Sequence, residues 1–342
     1  MLVGVVMLAG LGCGDEQAQT QSITPSQSGQ PTPTPKPAPA ATSSQLSWAE
    51  VLEQNPDPKV VTDADFLKRI KATGLPWRVT HKSTGIQMLL VPPGTFMMGA
   101  SPGDTQASDD EKPAHEVTIT KAFYLGRTEV TQAQWFKVMD TNPSHFRGES
   151  LPVDSVSWND ISVFLKKASG GLQLPTEAEW EYACRAGTKG ATYGDLDLIA
   201  WHHGVSAGTT HAVGKLQPNA LGFCDMLGNV FEWCADWYGP YSSGSVTNST
   251  GPTTGSNRLL RGGFWDYDSD LCRASRRGYA APDSVDVSHR PRLRPRRLPC
   301  REDSVVPFSL DDFAQRNHFP SSIFSFSFLL LQTLASAMVW WL

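Results

Sequence analysis

The run Asp225-Met226-Leu227-Gly228-Asn229-Val230-Phe231-Glu232-Trp233 constrains this chain more than any other stretch. Within it two carboxylates and an amide stand around a glycine, while Leu227, Val230, Phe231 and Trp233 supply apolar surface to bury. Gly228 permits a backbone bend that a Cβ would obstruct. Carboxylate and carbonyl oxygens at short spacing on a tight loop are what a hard cation such as Ca²⁺ requires. A plain structural turn with a capped start satisfies the same spacing, so both readings stand at this point. A second glycine-led, aromatic signal follows at Arg261-Gly262-Gly263-Phe264-Trp265-Asp266, with Cys272 shortly after it.

The chain has 342 residues, enough for one or two domains. Its net charge of -5 excludes the basic footprint of a nucleic-acid binder. Eleven Trp and 29 Gly without long apolar periodic runs point to a loop-rich α+β domain with aromatic anchors, not to a helical bundle or a doubly wound sheet. The six cysteines include no CxxC pair, which argues against a zinc ribbon or a thioredoxin-type site. No Gly-x-Ser-x-Gly elbow or phosphate-binding loop is present.

Residues 1–13 are short and apolar and end in Leu11-Gly12-Cys13. The segment resembles a bacterial lipoprotein cleavage site, with Cys13 as the lipidated residue, although no Lys or Arg precedes it; an ordinary cleaved signal is the next reading. Residues 14–46 form a Ser/Thr/Pro/Gln-rich tether with too little apolar surface to offset the entropy of ordering. Together they predict an exported protein of the periplasm or cell surface, tethered to a membrane. Residues 47–75 read as a short helical adapter. Ser47 would cap a helix from Trp48 to Gln54, and Thr62 with Asp65 would cap another from Asp63 to Ala72.

The main domain is assigned to residues 76–289. Trp77 to Thr80 and Ile86 to Val91 read as a hairpin, and Pro92-Pro93-Gly94 turns the chain into Thr95 to Gly99. His115 to Thr120 alternates as a strand, with Phe123-Tyr124-Leu125 continuing that sheet. Thr131 with Gln134, Ser157, and Thr176 with Glu179 mark three helix starts. Glu177, Glu179 and Glu181 read first as caps and solvated faces and only second as an acid–base site.

The phrases from Met88 to Gly99, Thr128-Glu129-Val130-Thr131, Val156 to Asp160, Leu174 to Ala183, Gly228 to Trp233 and Arg261-Gly262-Gly263 follow one another as in the formylglycine-generating enzyme, or sulfatase-modifying factor, family. The chain resembles that family over roughly residues 85–278. The resemblance implies a C-type-lectin-like fold, loop-rich with short strands and helices, and bound Ca²⁺. It places the calcium ligands at the side chains of Asp225 and Glu232 and the carbonyls of Gly228 and Val230. A further calcium site of the family would fall near residues 200–211, where Trp201-His202-His203-Gly204 supply few oxygens.

The resemblance also implies oxidation of a cysteine in a protein or peptide substrate to formylglycine, with O₂ and copper held by two thiolates. Soft thiolates do select Cu(I). Cys272 stands at the second thiol position and is the candidate catalytic residue, but the first falls on Tyr267, which cannot replace a thiolate. A lone Cys272 also fits a buried core residue. Cys224 and Cys234 are candidates for a disulfide outside the cytoplasm. A His-based iron site would need more than the adjacent His202 and His203. A non-catalytic lectin-like module competes with the oxidase reading. Its unknown surface ligand would meet the aromatic loop from Trp237 to Thr254, which also fits a plain surface loop. Residues 290–342 depart from the family: an Arg- and Pro-rich stretch precedes an uncharged, mostly apolar segment from Phe319 to Leu342, long enough to cross a bilayer. A coding-frame change near residues 287–289 or a tail anchor would explain it. Oligomeric state is not readable from the sequence.

Overall fold

A computed structural model describes residues 46–285. The lipoprotein-like segment, most of the tether and residues 290–342 lie outside the described residues. No helix among the described residues is long and apolar enough to cross a membrane.

The chain opens with strand β1 (Ala49–Glu53), helix α1 (Ala64–Ala72) and the hairpin β2 (Arg78–His81) and β3 (Gln87–Val91). The expected helix from Trp48 to Gln54 is therefore β1. Its residues pair antiparallel with β2, Ala49 opposite His81 and Val51 opposite Val79. The gain from that ladder, available only once the hairpin exists, outweighs a local helix preference. Helix α1 starts as expected, but Asp63 is its cap, accepting from the Phe66 amide at 2.8 Å. Phe66 and Ile70 then enter the main core, so residues 47–75 are built into the domain's first sheet and interior.

Strands β4 (Gly94–Met98) and β5 (His115–Ile119) form an antiparallel pair, and β6 (Phe123–Gly126) returns to β3. Residues 123–125 thus leave the β4–β5 sheet instead of continuing it, and the sheet orders are β1-β2-β3-β6 and β10-β5-β4, with β10 at Val246–Thr247. Helices α2 (Gln132–Met139), α3 (Trp158–Ala168) and α4 (Glu177–Arg185) each begin at a reciprocal capping box, on Thr131, Ser157 and Thr176. A short helix α5 (Leu196–Ile199) leads into β7 (Ala200–Trp201), which pairs parallel with β8 (Leu227–Gly228). The last sheet is β12-β11-β9, from β9 (Glu232–Trp237), β11 (Arg258–Arg261) and β12 (Gly278–Ala280).

Three tryptophans, Trp158, Trp180 and Trp233, fasten these pieces, each donating its N–H to a carbonyl or carboxylate oxygen. Trp158 Nε1 donates to the Cys234 carbonyl and Trp233 Nε1 to the Val156 carbonyl, both at 3.1 Å. Helix α4 lies at the centre and is buried on nearly every side. Glu179 completes its capping box by accepting from the Thr176 amide, but Glu177 and Glu181 are buried, which corrects the expectation of solvated carboxylates. Glu181 takes the Gly99 amide at 2.9 Å, Arg185 Nε at 2.8 Å and Arg261 Nη2. Arg277 grips both oxygens of Glu177, at 2.7 and 3.0 Å. The pattern hid this because the arginines arrive from β11 and the segment beyond it, some eighty to a hundred residues on.

Removing one partner of a buried pair strands the other's charge. Glu181→Ala is expected to cost roughly 3–5 kcal/mol in urea unfolding, whereas Glu53→Ala, at the part-exposed Arg78–Glu53 pair, should cost less than about 1 kcal/mol.

Candidate functional site

The 225–232 turn is wedged between two other loops. The Gly228 amide donates to the Gly262 carbonyl at 2.9 Å, the Asn229 amide to Trp201 at 2.8 Å, and the Trp265 amide to Asn229 at 2.9 Å. Gly228 has φ +77°, and any Cβ there would run into the Trp201 carbonyl, so the glycine is required both for conformation and for space. Asp225 and Asn229 also take left-handed backbone conformations. Three such residues in one short turn bend it back on itself.

Asp225 Oδ2 accepts from the Gly214 amide at 2.5 Å, while its buried Oδ1 has no partner. Glu232 Oε2 accepts from Trp180 Nε1 at 2.8 Å. Both carboxylates act electrostatically on a third, Glu129, whose two buried oxygens make no hydrogen bond of good geometry, although the Asn229 side chain lies close enough to lower its pKa somewhat. Glu129 escaped the sequence reading. The available signal was a carboxylate in Thr128-Glu129-Val130-Thr131 that takes no part in the Thr131–Gln134 box.

Burial raises all three acids. Glu129 is held well above the usual carboxylate range by burial and then by repulsion from Asp225 and Glu232. Glu232 is pushed up to about 8 by burial, opposed by the Trp180 N–H and reinforced by Asp225. Asp225 is raised by burial against the pull of the Gly214 amide and Arg127. Unpartnered buried carboxylate oxygens are costly unless a proton or cation meets them. No group of three or more His, Cys, Asp or Glu side chains among the described residues is gathered as a metal cage. Side chains alone do not suffice, and a cation would draw on backbone carbonyls of the same turn. An all-oxygen set of that kind fits Ca²⁺.

The loop at residues 200–211 closes differently. Trp201 stacks on His211 with ring centroids 3.7 Å apart. The Asn229 side chain holds the His211 backbone at both its N–H and carbonyl, at 2.9 and 3.1 Å. His202 pairs with Asp197 and His203 with Asp266, so the adjacent histidines diverge.

Cys272 follows a 3₁₀ turn (Ser269–Leu271) and is fully buried. A Cβ on Gly263 would stand 2.9 Å from its Sγ, so the Arg-Gly-Gly turn closes directly over the sulfur. Burial pushes the thiol up to about 12, with Asp270 and Asp268 reinforcing it and the Gly228 and Phe264 amides opposing. Tyr267 fills the expected first thiol position with a ring packed against Phe264 and edge-on to Phe231, with centroids at 4.4 and 5.1 Å. This donor set does not fit two-thiolate copper. Cys184, Cys224, Cys234 and Cys272 are all free and buried, which corrects the expected Cys224–Cys234 disulfide. Cys234 lies in the interior of β9, where the ladder to β11 fixes its backbone.

Residues 73–288 match the family model described as a sulfatase-modifying factor enzyme 1-like domain. The formylglycine-generating enzyme of Streptomyces coelicolor is 29% identical over 276 residues, spanning 59% of this chain and 87% of its own. Chaperone protein LppX of Paenibacillus barcinonensis is 30% identical over 205 residues, spanning 42% and 69%. The solved structure of PvdO from Pseudomonas aeruginosa is similar with a TM-score of 0.54 and 28% identity, covering 60% of this chain and 92% of that one.

A carboxyl group raised on folding binds more protons in the native state than in the unfolded one, so stability falls as pH rises between the two values. For Glu232 that window runs from the ordinary glutamate value of 4.5 to about 8. In the presence of chelator, unfolding free energy should decline across this range, and Glu232→Gln should flatten the decline.

Proposed function

The chain belongs to the sulfatase-modifying factor family, and on that premise we propose that its formylglycine-generating-enzyme-like domain is a non-catalytic binding module, stiffened by calcium and carried on an exported, membrane-tethered chain. The observation behind this reading is the pair Tyr267 and Cys272. An aromatic ring stands where the family's chemistry needs a thiolate, and the remaining thiol is enclosed and protonated at neutral pH. A buried thiol with a raised pKa is poor both as a nucleophile and as a soft-metal ligand. A fold does not fix an activity, and a relative that carries the name chaperone is compatible with a role in binding.

Calcium would be held by the side chains of Asp225 and Glu232, the carbonyls of Gly228 and Val230, and Glu129. It would supply the positive charge that these buried oxygens lack. The residues then hold a turn onto which the 200–211 loop and the Arg-Gly-Gly turn both fasten. The tether rests on Cys13 and the composition of residues 14–46. The domain would thus be presented at a distance from a membrane surface.

Purified protein should take up no Cu(I) at Cys272 and yield no formylglycine from a cysteine-containing sulfatase peptide; copper-dependent aldehyde formation overturns the proposal. Calcium should stabilise the fold by about 2.7 kcal/mol at a hundredfold excess over its Kd, with Glu129→Gln and Glu232→Gln each reducing the gain. An unchanged melting temperature in calcium and chelator would remove the ion from the account. Fatty-acid labelling of the expressed chain should disappear in Cys13→Ala.

A further inference from the structure

The segment from Trp237 to Thr254 overhangs a cleft of about 550 Å³, within the usual range for small-molecule sites. None of the calcium-turn or thiol residues lines it. Its floor carries His115, Glu177 and Arg277, and its walls carry Trp237 and Tyr241 together with the hydroxyls of Ser249 and Thr250.

The ionic groups of the floor are already matched. Arg277 binds both oxygens of Glu177 and the Asp110 carbonyl, and the Tyr241 hydroxyl donates to Glu177 at 3.2 Å. Arg277 also lies 4.1 Å from the Tyr241 ring centroid. An anionic ligand would face Glu177 with no spare cation to offset it, and a cationic ligand would face Arg277. Neither charge has a partner waiting.

His115 is different. It is 7% exposed, with its ring 4.8 Å from Tyr241. Its Nδ1 lies 3.1 Å from the Pro113 carbonyl. A carbonyl only accepts, so Nδ1 carries the hydrogen and Nε2 of the neutral ring is an acceptor. That nitrogen has no hydrogen-bond partner among the described residues, yet it is not among the atoms sealed from solvent. The cleft that His115 lines is the space it opens to. On the walls, neither the Ser249 nor the Thr250 hydroxyl is engaged in a hydrogen bond among the described residues.

We propose that this cleft binds a small, uncharged, polyhydroxylated ligand of the mono- or disaccharide class, with His115 Nε2 accepting from a ligand hydroxyl and the Ser249 and Thr250 hydroxyls completing the polar contacts. Hydroxyl groups both donate and accept, which matches a wall of hydroxyls with one fixed acceptor. Tyr241 and Trp237 add aromatic apolar surface to the walls, against which the C–H groups of a sugar ring can pack. With a few neutral hydrogen bonds and no ion pair, the expected Kd is on the order of millimolar. The proposal names a ligand class for the binding module and rests on that reading only for its biological purpose.

Saturation-transfer NMR on the full chain, with maltose, cellobiose and diacetylchitobiose as probes and glucuronate and glucosamine as charged controls, tests it. At least one neutral disaccharide should bind saturably, and the charged sugars should bind more weakly. His115→Phe should weaken binding tenfold or more. Thr250→Trp, at an exposed position that leaves the core untouched, should block it even if the His115 variant folds poorly. Cys272→Ala should leave binding unchanged. The proposal is overturned if no neutral disaccharide binds at tens of millimolar, if binding survives Thr250→Trp, or if a charged sugar binds best. A cleft that binds no sugar leaves the thiol argument standing, and copper-dependent turnover would leave the cleft standing.

Discussion

The guanidinium of Arg261 is the fastening on which the domain depends. It is fully buried at the end of β11 and reaches Glu181, Glu177 and the carbonyls of Ala274, Ser275 and Arg276. Burial alone would drive such a cation toward the neutral form, but the carboxylates of Glu181 and Glu177 hold it charged. One side chain therefore joins the central helix α4 to the strand behind it and to the segment after Cys272. In a chain with so little regular secondary structure, side-chain-to-backbone bonds of this kind do what longer ladders do elsewhere. Buried ion pairs add less stability than their contacts suggest, because desolvation opposes them. What this one supplies is definition: the guanidinium fork accepts only one arrangement of the elements around it.

Arg273 and Arg276 extend the same logic outward. Arg273 binds Glu111 through two nitrogens at 2.7 Å and Asp104 at 2.8 Å, and Arg276 reaches the Ser108 hydroxyl at 2.7 Å. The polar loop before β5 is thus strapped to the residues that follow Cys272. The thiol is enclosed partly because its downstream neighbours are committed to this strap and its upstream neighbours to the Arg-Gly-Gly turn.

Local signals told the truth about local structure. The helix starts read at Thr131, Ser157 and Thr176 exist, although Asp63 caps α1 in place of the Thr62–Asp65 pattern, and the 78–91 hairpin and the strand after Pro92-Pro93-Gly94 follow their turn residues. Failures came where the deciding partner lies far along the chain. Trp48 to Gln54 reads as a helix until β2 is available to pair with it. Glu177 and Glu181 read as surface charges until Arg261 and Arg277 arrive. At the site, Asp225 and Glu232 were legible from spacing within one turn. Glu129 was not, because nothing in residues 128–131 announces that a turn nearly a hundred residues later will approach it. Tyr267 was legible as a departure, but the depth of Cys272 required the packed structure.

The four cysteines of the domain interior have a bearing on how such a chain could mature. Each is unpaired and enclosed once the domain has closed. Before closure all four are open to oxidants and to one another, and any crosslink formed then would lock in a topology that the finished interior has no room for. In an oxidising compartment the order of events would decide the yield: closure of the interior has to outrun thiol chemistry.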